Sequence, residues 1–215
     1  MSKPRLLDLF CGAGGAAMGY HRAGFDVVGV DIKPQPHYPF EFHQGDALTW
    51  PLDGFDVIHA SPPCQAYTIV NKSHKLDHPD LIGAVRERLA GRSLAVIENV
   101  RHAPLPSAVT LCGSTFGLRV WRHRYFEIRP FMLTPQCIHE AQPLNPYNTK
   151  SRHRDGIEKQ SMHHYGDAMG VTDWMVTEAE ITEAIPPAYT EWVGSRLLSY
   201  LQNGTTKDVL HGARV

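Results

Sequence analysis

The 215-residue sequence has no apolar run long enough to span a membrane. Its N-terminus, MSKPRLLDLF, lacks the charged, apolar and small-residue order of a secretory leader. It also lacks a disulfide framework: the four cysteines, at positions 11, 64, 112 and 137, show no paired spacing. That pattern suits a reducing compartment, and a cytoplasmic protein is expected. There is no internal repeat. Excess charge of one sign is missing as well, since the formal net charge is −1, which excludes a uniformly basic nucleic-acid binder. What remains is an ordinary globular composition, 42% apolar and 20% charged, in a chain long enough to bury one α/β core.

The first hundred residues alternate strand and helix signals. RLLDLF, DVVGVDI, EFHQGD, FDVIHAS and LAVIENV are strand-like, while AAMGYHRA, stopping at Gly24, and PDLIGAVRERLAG are helical. This alternation predicts a doubly wound, mainly parallel Rossmann-like sheet. VTLCGST and RYFEI add an antiparallel edge. Residues 129–170 are polar, Pro-rich and without period, EWVGSRLLSYL restores a helical stripe, and the end resembles a loose tail. The expected organisation is a catalytic and cofactor-binding domain over 1–128, a short loop-rich segment over 129–170, a helical return over 171–204 and a tail over 205–215. Residues 117–160 hold eight Lys/Arg against four Asp/Glu, so a local basic face can exist on a near-neutral chain.

The glycines of LDLFCGAGGAA sit in a strand-to-helix turn and fit a dinucleotide fingerprint, with Asp31 nineteen residues past Gly12, where an acid would hold ribose hydroxyls. The fingerprint alone leaves NAD open. Asp8, inside the first strand, would repel a pyrophosphate, and Asp46, ending the third, is placed to accept from an adenine amino group. Several carboxylates around a glycine turn suit a cationic ligand without phosphates, such as S-adenosylmethionine. ASPPCQAYT turns rigidly out of another strand and presents Cys64 where that strand ends, since prolines remove donors and fix φ. IENV ends a buried strand on Glu98.

DLFCGAGG, GVDI, GDAL, SPPCQ, ENV and RHRYFEI occur in the order and spacing of DNA (cytosine-5) methyltransferases, which the chain resembles over about residues 5–128 and more loosely 172–200. Compact phage-type members are especially similar. The resemblance implies a methyl transfer from S-adenosylmethionine to C5 of a cytosine in DNA, with the base flipped out of the duplex. It implies Cys64 as nucleophile at C6, Glu98 as acid at N3, and Arg122 and Arg124 at the cytosine O2 and nearby phosphate. The implied cofactor contacts are Asp8, Phe10, Cys11, Gly12, Ala13, Gly14, Gly15, Asp31, Ile32, Asp46, Ala47, Pro63 and Gln65. An RNA cytosine methyltransferase of the same fold, or a nucleic-acid-binding relative without turnover, stays open beside it.

The chain departs from the family pattern at three places. Val120 stands where the family has a glutamine, TEWVGSRLL replaces an Asn-Ser pair, and the recognition domain shrinks to about residues 129–170. The cations of that segment, Arg129, Lys150, Arg152, Arg154 and Lys159, are expected on phosphates, a salt-sensitive and sequence-blind contribution. A homodimer is left open. Cys137, His139, His163 and His164 lack the usual zinc spacing, so no metal is expected there and phosphate- or solvent-facing histidines are the preferred reading.

Overall fold

The computed structural model describes residues 2–67, 79–139 and 162–211, with side chains through Asn203. Five parallel strands, β1 (Arg5–Leu9), β2 (Asp26–Asp31), β3 (Glu41–Gln44), β4 (Val57–Ala60) and β5 (Ala95–Asn99), form the body of a seven-stranded sheet. β6 (Val109–Leu111) and β7 (Arg124–Arg129) add the antiparallel edge, giving the order β3-β2-β1-β4-β5-β7-β6. β1, β4 and β5 are apolar on successive residues because both faces of the sheet are covered. Leu6, Val57 and Val96 point into one core, and Leu7, Ile58 and Ile97 into the other.

The first core is closed by α1 (Gly15–Ala23) and the long C-terminal helix α5 (Pro187–His211), which contributes Tyr189, Val193 and Leu197. α2 (Ile82–Arg88) covers the opposite face with Val85, continued by Leu89. The α1–α5 contact is unusually close: a Cβ at Gly15 or Gly19 would overlap backbone atoms of Ile185, Pro187 and Glu191. Thr190 seals the crossing by donating its hydroxyl to the Ala16 carbonyl at 2.8 Å. The third glycine of the motif therefore serves helix packing.

Three elements differ from expectation. α3 (Met162–Met169) lies in the stretch read as loop, and α4 (Glu178–Glu183) was not foreseen. α4 starts on a full capping box, Thr177 with Glu180, a signal present in the sequence as T-E-A-E. Its Ile181 and α3's Tyr165, Ala168 and Met169 form a third cluster that also buries Ala13 and Val120. α5 runs through His211, where a tail was expected from residue 205. Among the described residues no helix is long and apolar enough to cross a membrane.

Candidate active site

The strand order reverses direction between β1 and β4, the crevice in which open α/β sheets bind ligands. The carboxyl ends of β1, β2, β4 and β5 carry the glycine turn, Asp31, the cysteine turn and Glu98 there. The turn after β1 is tight: Phe10 has φ 58° and Gly14, capping α1, has φ 86°, a left-handed conformation that glycine adopts without steric cost. Asp31 holds this turn, accepting the Gly12 N–H at 3.0 Å and the Lys33 N–H at 2.9 Å. Both of its oxygens keep a lone pair for further donors.

Asp46 is exposed at the end of β3 and accepts the Leu48 N–H at 2.8 Å, with Ala47 buried behind it. Ile32 leaves 67% of its surface exposed at the mouth of β2, an apolar face unusual beside so many carboxylates. Asp8 is fully buried, and neither of its oxygens has a hydrogen-bond partner. Burial, with added repulsion from Asp31 and Glu98, pushes its carboxyl well above the usual range. Phe10, Cys11, Ala13 and Gly15 belong to the turn itself and to α1. Cys11, with its thiol pushed up by burial, is a packing residue.

On the β4 side, Asn99 donates to the Pro62 carbonyl at 2.8 Å, so the end of β5 fixes the proline turn directly. Pro63 and Cys64 are half-buried and Gln65 is exposed, opening a short 3-10 turn. Glu98 is 5% exposed and lies 3.2 Å from Arg124 Nε. That contact is an ion pair without hydrogen-bond alignment, so Glu98 Oε1 remains unsatisfied. Burial raises the Glu98 carboxyl; Arg124, a hydrogen bond from Ser61 and Arg122 pull it down without cancelling the rise. The Cys64 thiol is likewise raised by burial, opposed by Arg124 and reinforced by Glu98. Arg124 thus acts on both Cys64 and Glu98, and Glu98 acts on Cys64.

Behind them runs a chain the sequence did not disclose. Tyr20 is 2.9 Å from His59 Nδ1, and His59 Nε2 is 2.7 Å from the Ser61 hydroxyl that serves Glu98. Burial holds His59 down at about 3, hence neutral. A neutral ring that accepts from Tyr20 donates to Ser61, which leaves the serine proton for Glu98. The only sequence hint was a polar residue, His59, inside an otherwise apolar strand.

The two arginines of Arg122-His123-Arg124 diverge. Arg122, at φ 32°, spends its fork on the Ala184 carbonyl at 2.8 Å, the Tyr165 hydroxyl at 2.9 Å and the Thr182 carbonyl. It anchors α3 and α4 to the sheet, and Arg124 alone of the pair faces Glu98. Val120, in place of a polar residue, packs against the same two helices. Arg129 also differs from the expected phosphate contact: it donates to the Leu89 and Ala90 carbonyls at the end of α2. Lys150, Arg152, Arg154 and Lys159 lie outside the described residues. Cys137 and His139 converge with Cys112 and His123, whereas His163 lies beside Asp167 on its own helix.

Residues 4–82 match the family of C-5 cytosine-specific DNA methylases. The chain is 28% identical over 123 residues to the type II methyltransferase M.AquIA of Picosynechococcus sp., covering 45% of this chain and 48% of that protein. It is 33% identical over 84 residues to M1.HphI of Haemophilus parahaemolyticus, 31% of this chain and 22% of that one. The chain thus spans half or less of the length of these relatives. In fold it resembles the methyltransferase EhMeth of Entamoeba histolytica, at TM-score 0.64 and 13% identity over 94% of this chain and 99% of that one.

The cofactor of the matched family is S-adenosylmethionine, and the residues present fit it. Asp31 and Asp46 retain acceptor capacity, Ile32 offers an apolar face suited to a base, and the orphaned Asp8 carboxyl adds an acid close to Asp31. The motifs that carry this fit run from the first strand to the cysteine turn, within the stretch of residues 4–82 that is similar to C-5 cytosine-specific DNA methylases.

Proposed function

We propose that the protein methylates C5 of a cytosine flipped out of DNA through a transient bond between Cys64 and C6. The observation that supports it most is the meeting of Cys64, Glu98 and Arg124 beside the glycine turn, with a carboxyl that burial keeps ready to hold a proton. C5 of cytosine is a poor nucleophile, and adding a thiolate at C6 converts the ring to an enamine. Cys64 supplies that thiolate; in the resting protein it stays a thiol, so the ionised form is a minor species. As the sulfur adds, electron density moves to N3, where the Glu98 proton is delivered. Arg124, next to both groups, is placed to meet the cytosine O2. Asn99, by holding Pro62, keeps the sulfur aimed. Bound S-adenosylmethionine supplies the electrophilic methyl group that C5 takes. The C5 proton then leaves to water, the Cys64–C6 bond breaks, and N3 returns its proton to Glu98.

The test uses DNA containing 5-fluorocytosine, whose C5 fluorine cannot leave as a proton does. Incubation with S-adenosylmethionine should yield a denaturation-resistant protein–DNA adduct, and Cys64→Ser should abolish it. Equal trapping by the variant overturns the nucleophile assignment, and trapping on RNA with none on DNA overturns the substrate.

A further inference from the structure

The chemistry above leaves one cluster unused. We propose that Cys112, His123, Cys137 and His139 bind one zinc ion in a closed structural site that fixes the arginine-bearing turn.

The four ligand atoms lie within 4.8 Å of one another. Cys112 Sγ is 3.4 Å from His139 Nε2, and Cys137 Sγ is 3.6 Å from His123 Nε2. Zinc–sulfur bonds of about 2.3 Å and zinc–nitrogen bonds of about 2.0–2.1 Å at tetrahedral angles put sulfur and nitrogen about 3.6 Å apart. The two observed separations match that edge, so an ion fits between the groups with small adjustments. Two thiolates neutralise a divalent ion, and an S₂N₂ set of this shape selects zinc over oxygen-seeking cations.

The surroundings also suit a metal. His139 stacks on Trp121 with ring centroids 4.1 Å apart and 15° between planes, which holds its ring in position. The Ser114 hydroxyl accepts the Ile138 N–H at 3.2 Å and lies 3.2 Å from Cys112 Sγ, so its own proton is free for the sulfur. Outer partners of this kind orient ligands and tune the metal. Cys112 is buried and Cys137 and His139 are exposed, giving the site a floor and an entry path.

Four protein ligands leave no position for water, which marks a structural site. Cys112 follows β6, His123 stands between Arg122 and Arg124, and Cys137 and His139 lie on the irregular segment that follows β7. The ion would tie all three stretches together at the root of the segment expected to choose the DNA target. Binding deprotonates both thiols and releases their protons to solvent, so affinity falls in acid. Sequence spacing hid the site because its ligands come from three stretches, none of them a C-x-x-C pair.

Metal analysis of the full chain, purified without chelator, should find one zinc per protein. Cys137→Ser and His139→Ala should each reduce it to background, while Cys64→Ser keeps it. Cobalt replacement in the unmodified chain should give a thiolate charge-transfer band and intense tetrahedral bands, a readout that needs no variant to fold. Chelation should lower the thermal midpoint, and zinc but not magnesium should restore it. Zinc retained by both variants, an octahedral cobalt spectrum, or metal-free protein with Cys112 and Cys137 joined as a disulfide would each overturn the proposal.

Discussion

Replacing Asp8 with asparagine should stabilise the ligand-free protein at neutral pH, an uncommon direction for a change inside a central strand. Asp8 is fully buried in β1 with both oxygens unpaired. Its carboxyl is raised well above 3.8, first by burial and then by Asp31 and Glu98. A folded-state value above the unfolded one means that the native chain binds a proton the unfolded chain releases. Stability therefore falls as pH rises from the unfolded value toward the folded one. At pH 7 the cost is at most that of protonating an ordinary aspartate, about 4 kcal/mol. Asparagine needs no proton and removes that cost, while its buried amide is no better partnered than the acid it replaces. Urea unfolding at pH 5 and pH 7, without ligand, measures the effect. The gain should grow by up to about 3 kcal/mol between those pH values. A gain that does not change with pH, or a loss at pH 7, refutes the reasoning. Binding of S-adenosylhomocysteine, measured on the same variant, should weaken. A stabilised variant that binds as tightly as the parent would remove Asp8 from the cofactor site.

Glu98→Gln keeps the shape of the acid without its proton, so single-turnover methylation should slow about a hundredfold or more while S-adenosylhomocysteine affinity holds; an unchanged rate would return Glu98 to a packing role. Arg122→Lys cannot span Ala184, Thr182 and Tyr165 together, and should destabilise by ~2–3 kcal/mol in chemical denaturation; an unfolding midpoint like the parent's would free Arg122 for the cytosine. Neutralising Arg152 and Arg154 should weaken binding to all DNA sequences alike and flatten its salt dependence, leaving S-adenosylhomocysteine affinity intact; a loss confined to one sequence would make these arginines base readers.

The sheet was legible because its strands are buried on both faces, which leaves runs such as LLDLF and AVIEN that few other structures explain. The antiparallel edge was legible for a different reason, through VTL and RYFEI: β7 buries alternate residues, Phe126 and Ile128, the period of a strand covered on one face. α3 and α4 were not, since Met162–Met169 and Glu178–Glu183 are short and bury only a few residues each, too little for a periodic stripe to stand out. In the site, Cys64, Glu98 and the glycine turn carried local signals of chain geometry. The His59–Ser61 support, the anchoring of Arg122 and the Cys112–His139 cluster depend on contacts between distant stretches, which no local pattern encodes.

The close crossing of α1 and α5 bears on how this protein can vary. Gly15 and Gly19 meet carbonyl and amide atoms of residues 185–191, which every amino acid possesses. Trimming Thr190, whose hydroxyl also faces Gly19, or Ala184 beside Gly15 would not make room, because the backbone atoms would still block a larger residue at either glycine. In a library of double variants spanning the two helices, side-chain pairs such as Tyr20 and Val193 should rescue one another by exchange of volume. Gly15 and Gly19 should find no rescuer, so they would stand as solitary fixed points in a surface that otherwise drifts in pairs.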